Sequence, residues 1–310
     1  MGKPLSPVHN RSPPAAATPT HFRIPFLSSD MAADNAEQIA PETCPTAAGM
    51  PMLGLGTWQN DSPEECAESV RTALETGYRH IDTAQAYDNE EAVGEGIAAA
   101  DVDREDVFLA TKVWLSNLAY DDVLETARES IDRLGVEYVD LLYVHWPART
   151  YDPAETLDAF SELHEEGLIE NVGVSNFQPE QLKEAVERCD APILANQVEL
   201  HPLLPQEEIR DACAAHDVEV VAYSPIARGD VFDQPEIQEI ADKHDVSEAQ
   251  VSLAWLREIG VTSIPKATGE DHIRDNWESL ALELDQDDIE TIDAIEETDR
   301  KVDPEFGLWN

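Results

Sequence analysis

The sequence predicts one α/β domain, a (β/α)8 TIM barrel, on three observations. From residue 51 onward, short β-branched runs alternate with helical patterns, and such alternation indicates parallel βα units. Eight of these runs recur at a spacing of about 24–41 residues within about 230 residues, the size of an eight-unit barrel. Several runs end in an ionisable or amide side chain, as a barrel with a site on its C-terminal rim requires. A doubly wound sheet is the alternative, but it would usually carry GxGxxG after its first strand. Here "GLGTWQ" lacks the last glycine and "GEGIAA" follows no strand.

The elements follow in order. "MLGLGTW" (52–58) is the first run. "SPEECAESVRTALETG" opens a helix with Ser62 as N-cap, Pro63 at the first helical position and glutamates in the first turn, and closes on Gly77. "YRHID" is a short buried strand ending in Asp82, and Tyr87 follows in a polar segment ahead of the helix-like "NEEAVGEGIAAA". "VFLATK" ends at Lys112 and leads to the helix "DDVLETARESIDRLG". "VDLLYVH" ends at His145, and "NVGVSN" ends at Asn176 ahead of the helix "QPEQLKEAVERC". "NQVELH" (to 201), "VEVVAYSP" (to 225) and "VTSIPK" (to 266) complete the set.

Composition sets the surroundings. The 310 residues carry a formal charge of −45, with 65 Asp and Glu against 20 Lys and Arg, only six of them lysine. The acids fall at helical spacing, as in "DDIETIDAIEE", and read as a solvated surface. Charge of this size repels itself and opposes the compact state at low salt. High acid with scarce lysine suits a halophile-like, salt-rich cytoplasm. Nucleic acid is excluded as a partner because no basic patch is visible. No apolar run approaches the roughly 20 residues of a membrane span. Four scattered cysteines without zinc spacing indicate reduced thiols and no metal site. Residues 1–29 contain six of the 20 prolines, three basic residues and no acid. Residues 1–45 are therefore expected as a disordered extension, with the natural start at Met31. Residues 46–310 are expected as the barrel and a short C-terminal tail.

In a barrel the strand ends share one rim, so Asp82, Lys112, His145, Asn176 and Lys266 would converge there. The expected partner of Asp82 is Lys112, from the next strand. Alone, that pair reads equally well as a structural ion pair, and a lone His145 as a structural histidine. With Tyr87 beside them the quartet has a specific chemistry. A nearby ammonium favours phenolate and lowers the tyrosine pKa from about 10 toward working pH. Asp82 would hold Lys112 charged, and His145 would position a carbonyl oxygen against the Tyr87 hydroxyl. The result is a proton donor aimed at an oxygen that becomes negative as hydride arrives.

At these residues the sequence resembles the aldo-keto reductase family, in the flavour of small prokaryotic aldehyde and keto-sugar reductases. The motifs are "GLGTWQ", "GYRHIDTAQAYDNEEAVGEGI", "LATKVW", "DLLYVHWP", "GLIENVGVSNF", "NQVELHP", "VVAYSPIARG" and "SIPKAT", in the family's order, over about residues 51–284. The resemblance implies reversible, NAD(P)H-dependent reduction of aldehydes or ketones, with the catalytic tetrad on Asp82, Tyr87, Lys112 and His145. It implies that Ser175, Asn176 and Gln197 bind the nicotinamide carboxamide and that Tyr223 stacks on the ring. Ser224 would reach the pyrophosphate. Lys266, Thr268 and His272 would lie near the adenosine ribose or its phosphate, and Asn276 near the adenine. Trp58, Trp114 and His145 would line the substrate pocket, with Phe306 and Trp309 of the tail able to fold over it. Ala227 stands where relatives often have glycine, and His272 where they often have the arginine that grips the 2′-phosphate. NADP(H) is expected as cofactor, with NAD(H) or dual use open. The small-molecule partner would be a carbonyl or alcohol, and the enzyme a cytoplasmic monomer. A non-catalytic nucleotide-sensing member of the fold, or a metal-dependent or Schiff-base barrel enzyme using Lys112, are the other classes.

The charge gives a direct test. We expect the thermal midpoint of unfolding to climb steeply as KCl rises from about 0.1 M to about 2 M. A midpoint unchanged across that range would remove the halophilic reading.

Overall fold

A computed structural model describes residues 39–307 and 309. The expected start at Met31, with the rest of residues 1–38, lies outside the described residues. The first two strands of the described residues form a hairpin, β1 (Thr46–Ala47) and β2 (Met50–Pro51), turned through Ala48 and Gly49 at φ 48° and 88°. Eight parallel strands follow: β3 (Leu55–Gly56), β4 (His80–Asp82), β5 (Phe108–Val113), β6 (Leu141–Val144), β7 (Val172–Ser175), β8 (Ile193–Glu199), β9 (Glu219–Tyr223) and β10 (Thr262–Ser263). Each pairs with its neighbour in chain order. The ring closes between first and last strands: Gly54 N–H donates to Ser263 O at 2.9 Å, Ser263 N–H to Met52 O at 2.9 Å, and Gly56 N–H to Pro265 O at 3.1 Å. The expected (β/α)8 barrel is the observed fold.

Helices surround it: α1 (Pro63–Thr76), α2 (Glu90–Ala99), α3 (Tyr120–Leu134), α4 (Pro153–Glu165), α5 (Pro179–Arg188), α6 (Glu207–Ala215), α7 (Pro235–His244), α8 (Glu248–Glu258), α9 (Glu270–Glu278) and α10 (Gln286–Asp293). Their ends follow local chemistry. Ser62 accepts the Glu65 N–H at α1, Asp152 accepts those of Ala154 and Glu155 at α4, and Ser247 accepts that of Gln250 at α8. α3 buries Val123, Ala127, Ser130, Ile131 and Leu134, the spacing of one helical face, and stops at left-handed Gly135.

Alternation along the strands sends one set of side chains outward to the helices and the other into the barrel. The inner set includes Ala110, Leu141, Tyr143, Ala195, Val221 and Ile264, and Met50 of the hairpin packs among them. Lys112 and Gln197 lie two residues beyond Ala110 and Ala195, so the polar residues stand directly above an apolar plug.

The extension expected over residues 1–45 overruns ordered chain at its end. Residues Pro41–Thr43 form a 3-10 turn and Cys44 is buried. Trp277, buried on α9, donates its indole N–H to Ile39 O at 3.2 Å. A buried indole needs such an acceptor, and this tie holds the segment to the barrel.

Gly77 ends α1 at φ 138°, where a Cβ would stand 2.6 Å from the Trp277 ring. We expect Gly77→Ala to destabilise by about 2–4 kcal/mol through backbone strain and collision. The thermal midpoint would then fall by roughly 5–15 °C. An unmoved midpoint would mean that Trp277 shifts freely.

Candidate active site

The site begins with a buried ion pair. Lys112 is fully buried on β5, and its Nζ donates to Asp82 Oδ1 at the end of β4. It also donates to Thr83 O at 2.8 Å and to the Tyr87 hydroxyl at 3.4 Å, so all three ammonium protons are directed. The second Asp82 oxygen accepts Gln197 Nε2 at 2.8 Å, from β8. Burial is the largest influence on Lys112 and pushes its pKa down, but Asp82 and Tyr87 together outweigh it and leave the pKa raised. Lys112 is therefore an ammonium at neutral pH.

Tyr87 closes a 3-10 turn (Gln85–Tyr87) after β4, stopped by Asp88 in the left-handed region at φ 54°. It is half-buried, with the ammonium 5.0 Å from its ring centroid. The sequence suggested that this ammonium would draw the Tyr87 pKa down. The net shift is upward: burial raises it, and the opposing pull of Lys112 is smaller. The phenol therefore keeps its proton. His145, beyond the end of β6, lies edge-on to Tyr87 at 5.8 Å and to Trp114 at 5.0 Å between ring centroids. Its pKa lies well below 6.5, first through burial and then through Lys112, so the imidazole is neutral, and its Nδ1 has no protein partner.

The adjoining wall comes from the ends of β7 and β9. Asn176 adopts φ 64° and donates from Nδ2 to His145 O at 3.1 Å and to Ser175 Oγ at 3.0 Å. Its Oδ1 accepts the Tyr223 hydroxyl at 2.9 Å, while Ser175 Oγ donates to Gln197 O at 2.8 Å. Ser224, Ala227, Arg228 and Gly229 then take positive φ of 50°, 49°, 55° and 107°. Ala227 thus occupies a backbone conformation suited to glycine. The loop carries the Arg228 guanidinium to 4.6 Å above the Trp58 ring, across the barrel mouth.

These groups share one cavity of about 710 Å³. Of the residues expected from sequence, Asp82, Tyr87, His145, Ser175, Asn176, Gln197, Tyr223, Ser224, Lys266, Trp58 and Trp114 line it, with Lys112 sealed beneath. Thr268, His272 and Asn276 do not line it. Thr268 and His272 are exposed around the Gly269 start of α9, and Asn276 is buried on that helix. Arg274 is ion-paired with Glu270 at 3.0 Å. Sequence reasoning missed Arg228, Trp146 and Val302, which also line the cavity. Arg228 sits in the loop beyond β9 and not at a strand end, so the strand-end reading that found Lys112 did not reach it. Among the described residues no group of His, Cys, Asp or Glu is arranged to hold a metal ion, and no helix is long and apolar enough to cross a membrane.

A buried ammonium–carboxylate pair beneath a protonated phenol and a neutral imidazole, at the C-terminal mouth of a barrel, defines a (β/α)8 enzyme with an acid–base site. The chain belongs to the aldo/keto reductase family, whose sequence profile matches residues 52–297. It is 41% identical over 262 residues to an aldo-keto reductase of Mycolicibacterium smegmatis, covering 84% of this chain and 94% of that one. It is 39% identical over 251 residues to the glyoxal reductase of Bacillus subtilis, covering 81% and 91%. The crystal structure of a Bombyx mori aldo-keto reductase in complex with NADP superposes with a TM-score of 0.74 at 33% identity, covering 79% of this chain and 88% of that one.

The depressed pKa of His145, shared by fully buried His80, has a consequence for stability. Below about pH 6.5 the unfolded chain binds protons that the folded one refuses. Stability is therefore full above that pH and falls as pH drops below it, by up to about 1.4 kcal/mol per pH unit for each histidine. His145→Asn should remove its share of that slope, read from denaturant midpoints between pH 5 and 7. An unchanged slope would show that His145 titrates normally.

Proposed function

We propose that the chain is an NAD(P)H-dependent reductase of small aldehydes or ketones, working reversibly, with Tyr87 as the proton donor. One observation carries the reading: Tyr87, with its phenol protonated, lines the cavity beside neutral His145, and its hydroxyl contacts the Lys112 ammonium. The cavity suits the cofactor's chemistry. Arg228 and Lys266 give it two cations in a chain that carries 65 acids against 20 bases, which suits a cofactor bearing phosphate groups, Arg228 on the loop of Ser224 toward the pyrophosphate and Lys266 toward the adenosine ribose phosphate. Ser175, Asn176 and Gln197 supply hydroxyl and amide groups suited to a carboxamide, and Tyr223 and Ser224 continue that wall.

When bound, the reduced nicotinamide supplies hydride to the carbonyl carbon. The chain's own residues handle the oxygen. Tyr87 gives its proton to the developing alkoxide. Neutral His145 offers a hydrogen bond to the same oxygen without competing as an acid. Lys112 stabilises the phenolate left behind, which the burial of Tyr87 would otherwise disfavour. Asp82, fixed by Gln197, keeps Lys112 charged. In the oxidative direction the same phenolate takes the proton back.

NADPH is favoured because Lys266 lies near the start of α9, where Gly269 provides no side-chain cap for the first amides. His272 is a weaker phosphate ligand than arginine, so NADH use belongs to the same reading. Trp58, Trp114, Trp146 and Phe306 give the substrate end aromatic walls, and the glyoxal reductase relative supports small carbonyl substrates. The acidic composition supports a halophilic setting, and four free cysteines support a cytoplasmic one. A site complete within one chain supports a monomer.

The test is NADPH oxidation with a panel of aldehydes, comparing wild type with Tyr87→Phe. The substitution removes one oxygen and little packing, and should lower kcat/KM by the 10²- to 10⁴-fold typical of a lost general acid. NADPH binding, followed by fluorescence titration, should survive. Near wild-type turnover in Tyr87→Phe would end the mechanism.

A further inference from the structure

Glu199, the last residue of β8, is a carboxylate that the proposed chemistry does not use. Strand alternation places it on the same face as Gln197, two residues nearer the mouth. It is 1% exposed. Buried carboxylates are retained only when their oxygens are satisfied, and the donors here are instructive. Oε1 accepts the backbone N–H of Lys301 at 2.5 Å and Oε2 that of Val302 at 2.8 Å, with His201 Nε2 3.1 Å from Oε1. Both backbone donors come from the C-terminal tail, about a hundred residues further along the chain. A third tie runs beside them, from Asp299 N–H to Leu203 O at 2.9 Å.

The segment held in this way forms part of the site. Val302, Pro304 and Phe306 line the cavity, and Phe306 packs edge-on against Trp146 at 5.2 Å. The Lys301 side chain bonds Asp299 at 2.5 Å and also reaches Asp230, in the loop that carries Arg228 over the barrel mouth.

We propose that Glu199 is a positioning residue that docks the C-terminal tail as the substrate-side wall of the cavity, with Lys301 joining that wall to the loop after β9. The carboxylate acts through two charge-assisted hydrogen bonds to main-chain amides, which fix the tail in register whatever its side chains are. The tail's reach over the cavity makes it a wall for larger carbonyl substrates and leaves the Tyr87 floor untouched. The kinetic part of the claim rests on the carbonyl-reductase reading, whereas the docking does not.

Glu199→Gln replaces one acceptor oxygen with a donor that faces a backbone N–H. In full-length protein we expect the Lys301 and Val302 amides to exchange hydrogen at least tenfold faster, while amides of β5 and β6 are unchanged. KM for a bulky aromatic aldehyde should shift at least fivefold. The kcat for glyoxal and the NADPH dissociation constant should stay within twofold. Val302→Pro removes one donor from the tail with the barrel intact, and should reproduce the KM shift and the faster exchange at Lys301, the substituted position having no amide proton of its own. It serves as the test if Glu199→Gln does not fold. Unchanged exchange at residues 301 and 302 would overturn the proposal and assign the tail's position to its other contacts, the Asp299–Leu203 hydrogen bond, the Lys301–Asp230 tie and the Trp146 aromatic packing. Faster exchange with an unmoved KM would overturn the wall. A protein inactive on every carbonyl would remove the reductase reading, with the exchange result still deciding the docking.

Discussion

The Lys112–Asp82 pair is the constraint from which the rest of the site follows. An ammonium with no exposure is tolerated only with a partner charge and a full set of acceptors, since the effective desolvation penalty is several kcal/mol per ion. Lys112 has Asp82, Thr83 O and the Tyr87 hydroxyl, and Asp82 has Lys112 and Gln197. Satisfying them requires the ends of β4, β5 and β8 to meet above the barrel axis, and only a closed ring brings the eighth strand of the chain's order, β8, across to β4 and β5. The register agrees: Asp82 pairs with Ala110, so Lys112 stands one inward position above that level. The apolar layer of Leu141, Tyr143, Ala195 and Met50 beneath keeps water out from below.

The same dehydration sets the protonation of everything around the pair. It raises the phenol of Tyr87 and lowers the imidazole of His145, so both neighbours of a permanent ammonium are neutral. A tyrosine that keeps its proton until a negative oxygen forms is better matched to donation than one already ionised. In the proposed mechanism the ammonium acts mainly on the product of the transfer, the phenolate, whose charge it would offset at short range.

Much of this was legible in the sequence because strand ends are legible. Asp82, Lys112, His145, Asn176 and Lys266 each close a β-branched run, and a barrel places such positions on one rim. Ser62, Pro63 and Gly77 likewise bound their helix from local chemistry alone. What was hidden depends on distant partners. Residues 39–45 are tied to the fold by an indole 238 positions away. The direction of the Tyr87 shift depends on how much protein covers it, and proximity of a cation could not reveal that. Glu199 reads in "NQVELH" as an interruption of an apolar run, because the amides that explain it lie in the tail. Thr268, His272 and Asn276 came only from resemblance, and none of them lines the cavity.

The charge of −45 and the cavity's two cations act on different length scales. At about 0.1 M salt the screening length is roughly 10 Å, and at about 1 M roughly 3 Å. The surface acids are exposed and spread over the molecule, so their summed field on an approaching dinucleotide is a long-range repulsion that salt removes. In the proposed reading Arg228 and Lys266, both exposed at the cavity mouth, meet an anionic ligand at contact distance, where screening is least. Raising salt therefore weakens the unfavourable field more than the favourable contact, and the same change relieves the self-repulsion of the fold. An acidic exterior with cations kept for the cavity is thus consistent with anion binding at high ionic strength, and becomes self-opposing only when the salt is taken away.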